Sequence, residues 1–134
     1  MAEIKLCISF GAANEPPVYH AGWFRQLTEA LARWNQAMLG PWNLPPLYES
    51  GVKYKAETQQ TLCDAKEIYR RGHADCGPLG AWRVAELRRA GEHATLRIYW
   101  RKIQNGSRLF HCQVRRANGL IEDPSRLLGM PQHG

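Results

Sequence analysis

Two Asn-Gly pairs, Asn105-Gly106 and Asn118-Gly119, separate short apolar runs in the C-terminal third of the chain. Asn-Gly readily adopts the positive backbone angles that a tight hairpin demands. Thr95 to Arg101, Arg108 to Arg116 and Leu120 to Glu122 therefore read as three antiparallel strands, closed by Asp123-Pro124, with a short tail from Leu127 to Met130. Earlier in the chain the apolar spacing differs. Ile4, Leu6, Ile8 and Phe10 alternate with Lys5, Cys7 and Ser9, which predicts one strand. Gly11 to Pro17 reads as a loop. From Ala21 to Met38 the residues Trp23, Phe24, Leu27, Leu31, Trp34 and Met38 recur at helical spacing, and Gly40-Pro41 is the expected stop. Helices followed by a run of antiparallel strands predict an α+β domain spanning 1–134.

Three further segments complete the layout. Trp42 to Gly51 (WNLPPLYESG) carries too much proline for a central strand and is expected as a loop or exposed arm. Val52 to Lys55 suggests a short strand. Gln59 to Arg71 reads as a second helix ended by Gly72, with Leu62, Ala65, Ile68 and Tyr69 inward. The stretch HADCGPLGAWRVAELRRAG predicts a third helix. Asp75 suits its N-cap, Pro78 its first turn, and Gly91 its end. Leu79, Trp82, Val84, Ala85 and Leu87 form its buried face, and Arg83, Glu86, Arg88 and Arg89 are expected to face water.

Hydrophobic residues make up 44% and charged residues 22%, which argues for a packed core over disorder. No apolar run reaches the roughly 20 residues of a membrane span, and the N-terminus lacks the features of a secretory signal. The net charge of +6 suits an anionic partner. The arginines come as scattered pairs with no recognition motif, which disfavours nucleic acid while leaving the basic surface without an assigned ligand. Cys7, Cys63, Cys76 and Cys112 form no CxxC pair, and with no signal the expectation is a reducing compartment and four free thiols.

Nucleophilic chemistry has one favoured cysteine. A thiolate is the reactive form, and a helix N-terminus lowers the thiol's proton affinity. Cys76 alone is expected at such a place. Among His20, His73, His93, His111 and His133, only His111 lies within a predicted strand, where a ring can be aimed. Asp123, at the end of the next strand, is placed by the Asn118-Gly119 turn to steady that ring. The expected geometry puts the Cys76 sulfur near one His111 nitrogen and an Asp123 oxygen on the other. A zinc site from His73, Cys76, His111 and Cys112 is the weaker reading, because neighbouring strand residues point apart.

The order of Asp75-Cys76, a strand histidine at His111 and Asp123-Pro124-Ser125 resembles the transglutaminase-like superfamily. The stretches PPLYESGVKY, RRGHADCGPLGAWRVAELRRAGE and HCQVRRANGLIEDPSRLLGM, within Pro45 to Met130, look like small members of that superfamily from bacteriophage and prophage morphogenesis clusters. The resemblance implies a papain-like α+β fold with a nucleophile-bearing helix on a small antiparallel sheet. It implies acyl transfer with Cys76 as nucleophile, His111 as base and Asp123 as orienter, without a cofactor. The Cys76 backbone N–H is the expected oxyanion donor, and Trp42, Tyr48 and Tyr54 are candidate substrate contacts. It further implies a protein or peptide substrate, phage structural proteins as partners, and residence in the host cytoplasm or the virion. The alternative is a virion assembly protein that keeps the fold with a silent site. One departure stands out: Gly77-Pro78 follows the cysteine where such relatives tend to carry acidic residues, which suggests an altered mouth to the site.

Overall fold

The structure is a computed structural model that describes residues 4–12, 17–57, 59–102 and 108–131. Its elements run β1 (Cys7–Ala12), α1 (Pro17–Trp42), a 3-10 turn (Leu47–Glu49), β2 (Lys53–Tyr54), β3 (Gln59–Cys63), α2 (Ala65–Arg71), β4 (His73–Ala74), α3 (Cys76–Arg89), β5 (Thr95–Lys102), β6 (Arg108–Arg115), β7 (Ile121–Glu122) and α4 (Pro124–Leu127). The architecture is α+β. β5, β6 and β7 form an antiparallel meander, β1 pairs antiparallel with β3, and β2 pairs parallel with β4. The Asn105-Gly106 turn lies outside the described residues, but the strands on either side pair from Thr95↔Arg115 to Lys102↔Arg108. Residues 13–16 of the expected loop also lie outside them.

α3 is the central element. Its first half is buried nearly all round, from Cys76 to Trp82. One side packs with Phe24, Leu31 and Ala32 of α1, and with Cys112 and Val114 of β6. Phe24 also stacks on Phe110 with centroids 4.7 Å apart. The other side joins a second cluster with Leu47, Val52, Ile68 and Leu128 around Trp82. Gly80 allows the sheet to come close: a Cβ there would stand 2.7 Å from Cys112 Sγ. Trp23 departs from the expected core face of α1 and is 64% exposed.

Several expectations change. α1 runs through Gly40-Pro41 to Trp42 and ends at Asn43, whose positive φ of 53° stops it. Gln59 to Arg71 is not one helix. Its first part pairs with β1, and Asp64 starts a separate short helix in which Tyr69 is exposed. The Trp42 to Tyr48 segment is no free arm: Leu47 is fully buried and its N–H donates to Glu86 Oε2 at 2.7 Å. Arg83 and Arg88 are half-buried ion-pair partners of Glu122 and Glu29, at 2.6 and 2.7 Å.

The cysteine expectation is corrected as well. Cys7 and Cys63 face one another across β1 and β3 and form a disulfide. Asp64 N donates to Leu6 O at 2.8 Å, so the adjacent Cys7–Cys63 pair is of the non-hydrogen-bonded kind, in which side chains approach most closely. Cys76 and Cys112 are the free thiols, both buried.

Candidate active site

Strand alternation divides β6 into two faces. Phe110, Cys112 and Val114 point into the core. His111 and Gln113 project from the other face, where their cross-strand partners Tyr99 and Arg97 also lie. His111 is only 2% exposed. Tyr99 meets it edge-on, with centroids 5.5 Å apart. β7 pairs Glu122 with Val114, so the next residue, Asp123, falls opposite Gln113. Asp123 Oδ2 lies 2.7 Å from His111 Nε2 and accepts from Gln113 Nε2 at 3.0 Å. Its Oδ1 caps α4 through Arg126 N at 3.3 Å. Burial alone would raise the Asp123 carboxyl, but the hydrogen bonds from His111 and Gln113 outweigh it and hold the group below its usual range.

The cysteine reaches this strand from the core side. Asp75 follows β4 in extended conformation and caps α3, which makes Cys76 the first helical residue. β7 pairs only with Val114 and Arg115 of β6, and the start of α3 meets that strand nearer Phe110 to Cys112. Cys76 Sγ lies 3.9 Å from Phe110 O, one residue from His111, and the Cys112 N–H also reaches the sulfur. The structure thus joins imidazole and carboxylate by a hydrogen bond, as expected. The expected sulfur–nitrogen contact is not formed among the described residues: Cys76 meets β6 at the carbonyl of Phe110 from the core side, whereas the His111 ring lies on the other face.

Two details differ from expectation. The Cys76 N–H, the expected oxyanion donor, is taken by Asp75 Oδ1 at 2.7 Å, while Asp75 Oδ2 accepts from Glu57 N at 3.0 Å. The thiol is not lowered by the helix start. Burial first, then the Asp75 carboxylate, push it well above its usual range, and the Cys112 N–H only partly opposes them. Gly77 and Pro78 do not shape a mouth either. Both are buried, and a Cβ on Gly77 would meet Leu62 at 2.8 Å and Phe24 at 3.1 Å. An acidic side chain at Gly77 would have to enter the core.

Of the expected substrate contacts, Trp42 packs on the second cluster, edge-on to Trp34. Tyr54 also lies on that cluster and pairs with Ala74, two residues before Cys76. Tyr48 donates its hydroxyl to Glu122, the neighbour of Asp123. Beside Asp123 lies an open cavity of about 400 Å³, bordered by Arg116, Glu122 and Arg126 and by the exposed Leu120, Ile121 and Leu127. No group of three or more His, Cys, Asp or Glu side chains among the described residues is arranged to hold a metal ion. No described helix is long and apolar enough to cross a membrane. His133 and the side chain of His20 lie outside the described residues.

Sequence reasoning missed Gln113, Arg97 and the hold of Asp75 on the Cys76 amide. Gln113 was signalled by its place two residues after His111 on a strand, which fixes it to the same face. Comparison with known proteins adds nothing to these residues: no protein-family model, curated protein or solved structure matches the chain.

Proposed function

We propose that the chain is a cysteine acyl-transfer enzyme of transglutaminase-like, papain-like type, with Cys76 as nucleophile, His111 as base and Asp123 as orienter. The observation that carries the reading is the 2.7 Å contact of His111 Nε2 with Asp123, which leaves Nδ1 as the nitrogen to act as base. The Cys76 sulfur, resting 3.9 Å from the neighbouring Phe110 carbonyl on the core side, must swing toward it. As sulfur bonds to the acyl carbon of a carboxamide, the thiol proton passes to His111 Nδ1. The C–N bond then breaks, and the amine departs with that proton, leaving a thioester. Water or a second amine attacks the thioester and passes a proton through His111 back to the departing sulfur. Protein or peptide is the proposed acyl donor, in keeping with the open cavity beside Asp123. A phage virion protein or a cell-wall peptide stem fits the resemblance.

The resting arrangement is closed. The thiol is protonated, and the Cys76 N–H is engaged by Asp75. Turnover requires Asp75 to release that amide and the sulfur to close on Nδ1. The same two observations suit a silent site, and the second reading is a phage virion assembly protein that keeps such a site. An activated ester separates the two, because it acylates a competent thiol whatever the natural substrate. With p-nitrophenyl acetate, mass spectrometry should find the acetyl group on Cys76 and not on Cys112, and His111→Asn should abolish it. Acylation of neither thiol with no release of p-nitrophenol above background, or acylation of both equally, would overturn the enzyme reading.

A further inference from the structure

His111 Nε2 and Gln113 Nε2 share one oxygen of Asp123, and the far end of Gln113 is itself held. Arg97 Nη1 donates to Gln113 Oε1 at 2.6 Å, and the Arg97 guanidinium lies over the Tyr99 ring, 4.5 Å from its centroid. Tyr99 in turn stands edge-on to His111. Arg97↔Gln113 and Tyr99↔His111 are cross-strand pairs on one face of β5 and β6, so the four side chains form a single patch.

The chemistry of the groups gives this patch a direction. A guanidinium can only donate hydrogen bonds, and an ionised carboxylate can only accept them. Gln113 must therefore turn its carbonyl oxygen to Arg97 and its NH2 to Asp123. Asp123, held as a carboxylate, must accept from His111 as well. The neutral imidazole then carries its proton on Nε2 and its lone pair on Nδ1. The competing arrangement is also present: Arg126 Nε lies 3.5 Å from the same Asp123 Oδ2. Without Gln113, the carboxylate is free to turn toward that surface arginine and release the ring.

We infer that Gln113, itself locked by Arg97, is a positioning residue that holds Asp123 on His111 and so fixes the His111 tautomer with its basic nitrogen at Nδ1. The inference rests on the proposed acyl-transfer reading only for its consequence at Cys76; the tautomer is a property of the resting protein.

Nitrogen-15 NMR of the imidazole tests it directly. The wild-type protein should show a single His111 tautomer, protonated at Nε2. Gln113→Leu, close in shape but unable to hydrogen-bond, should give a mixture of tautomers and about a tenfold slower reaction of Cys76 with iodoacetamide. Arg97→Met should shift both readouts in the same direction but less, since the carboxylate still favours the NH2 of Gln113. A wild-type His111 protonated at Nδ1 would overturn the inference without any variant having to fold. An unmixed Nε2 tautomer in folded Gln113→Leu would overturn it too. If the tautomer shifts as expected while His111→Asn leaves Cys76 alkylation unchanged, the positioning role stands and the enzyme reading falls. The reverse pattern sinks the positioning role alone.

Discussion

Two aspartates, eleven residues apart, each begin a helix in this protein, and they are used differently. Asp64 is fully buried. Its Oδ1 accepts from Glu67 N at 3.0 Å, and its Oδ2 accepts from Leu6 N at 2.7 Å and Trp34 Nε1 at 3.1 Å. It ties α1, α2 and the residue preceding β1 together, beside the disulfide from Cys63 to Cys7. Asp75 is only partly buried and accepts from the amide next to it, that of Cys76, and from Glu57 N. The first cap is built to stay. The second occupies the donor that the proposed acyl transfer would need, and its charge opposes ionisation of the thiol. Burial and the number of bonds, not residue type, separate a structural aspartate from one that the proposed turnover would require to move.

The comparison can be broken most forcefully at Asp123, the third helix-capping aspartate. Asp123→Asn presents an amide to His111 Nε2. If the amide donates there, the ring must carry its proton on Nδ1. The rate of Cys76 acylation should fall by roughly 10²–10⁴-fold, while denaturant unfolding shows a loss of only about 1 kcal/mol from the weakened cap. Equal acylation rates in variant and wild type would deny Asp123 its role. Asp64→Ala should do the opposite. Three donors lose one buried acceptor, so stability should drop by about 3–4 kcal/mol, with Cys76 reactivity unchanged in the molecules that remain folded.

Gly80→Ala places a methyl group against Cys112 Sγ and should cost about 1–3 kcal/mol in urea unfolding. A neutral result there would mean that α3 and β6 pack less tightly than the structure has them. Asp75→Asn removes the charge that opposes the thiolate. Alkylation of Cys76 should accelerate about tenfold and its pH midpoint should fall, which corresponds to about 1.4 kcal/mol. A slower reaction would show that Asp75 assists the thiol.

The smallest effect concerns acid. The hydrogen bond from Arg70, first among several causes, holds Glu67 at about 2, against a usual 4.5. A lowered carboxyl stabilises the fold fully above its unfolded value and loses that contribution as pH falls through the folded one. Stability should therefore decline between about pH 4.5 and 2, and Glu67→Gln should flatten that decline in thermal melts.

Local chemistry made much of this protein legible from sequence. Asp75 and Pro78 marked the start of α3, and the Asn118-Gly119 turn brought Asp123 back toward His111. What escaped was set by partners distant in the chain. Gln59 to Cys63 has helix-compatible spacing, yet β1 recruits it as a strand, and only that pairing sets Cys63 against Cys7. Tertiary contacts of this kind override local preference. The Arg97–Gln113–Asp123 chain needed the exact cross-strand register, and the raised Cys76 thiol needed the depth of burial. Neither is written in spacing alone.

If Cys76, His111 and Asp123 work as a unit, iodoacetamide kinetics at Cys76 will show it. Rates are compared for the wild-type protein, His111→Asn, Asp123→Asn and the double variant, with Cys112 as the internal reference. A working unit predicts Cys76 well ahead of Cys112 in the wild type, a large loss in each single variant, and little further loss in the double. Four proteins in which Cys76 reacts no faster than Cys112 would contradict the account.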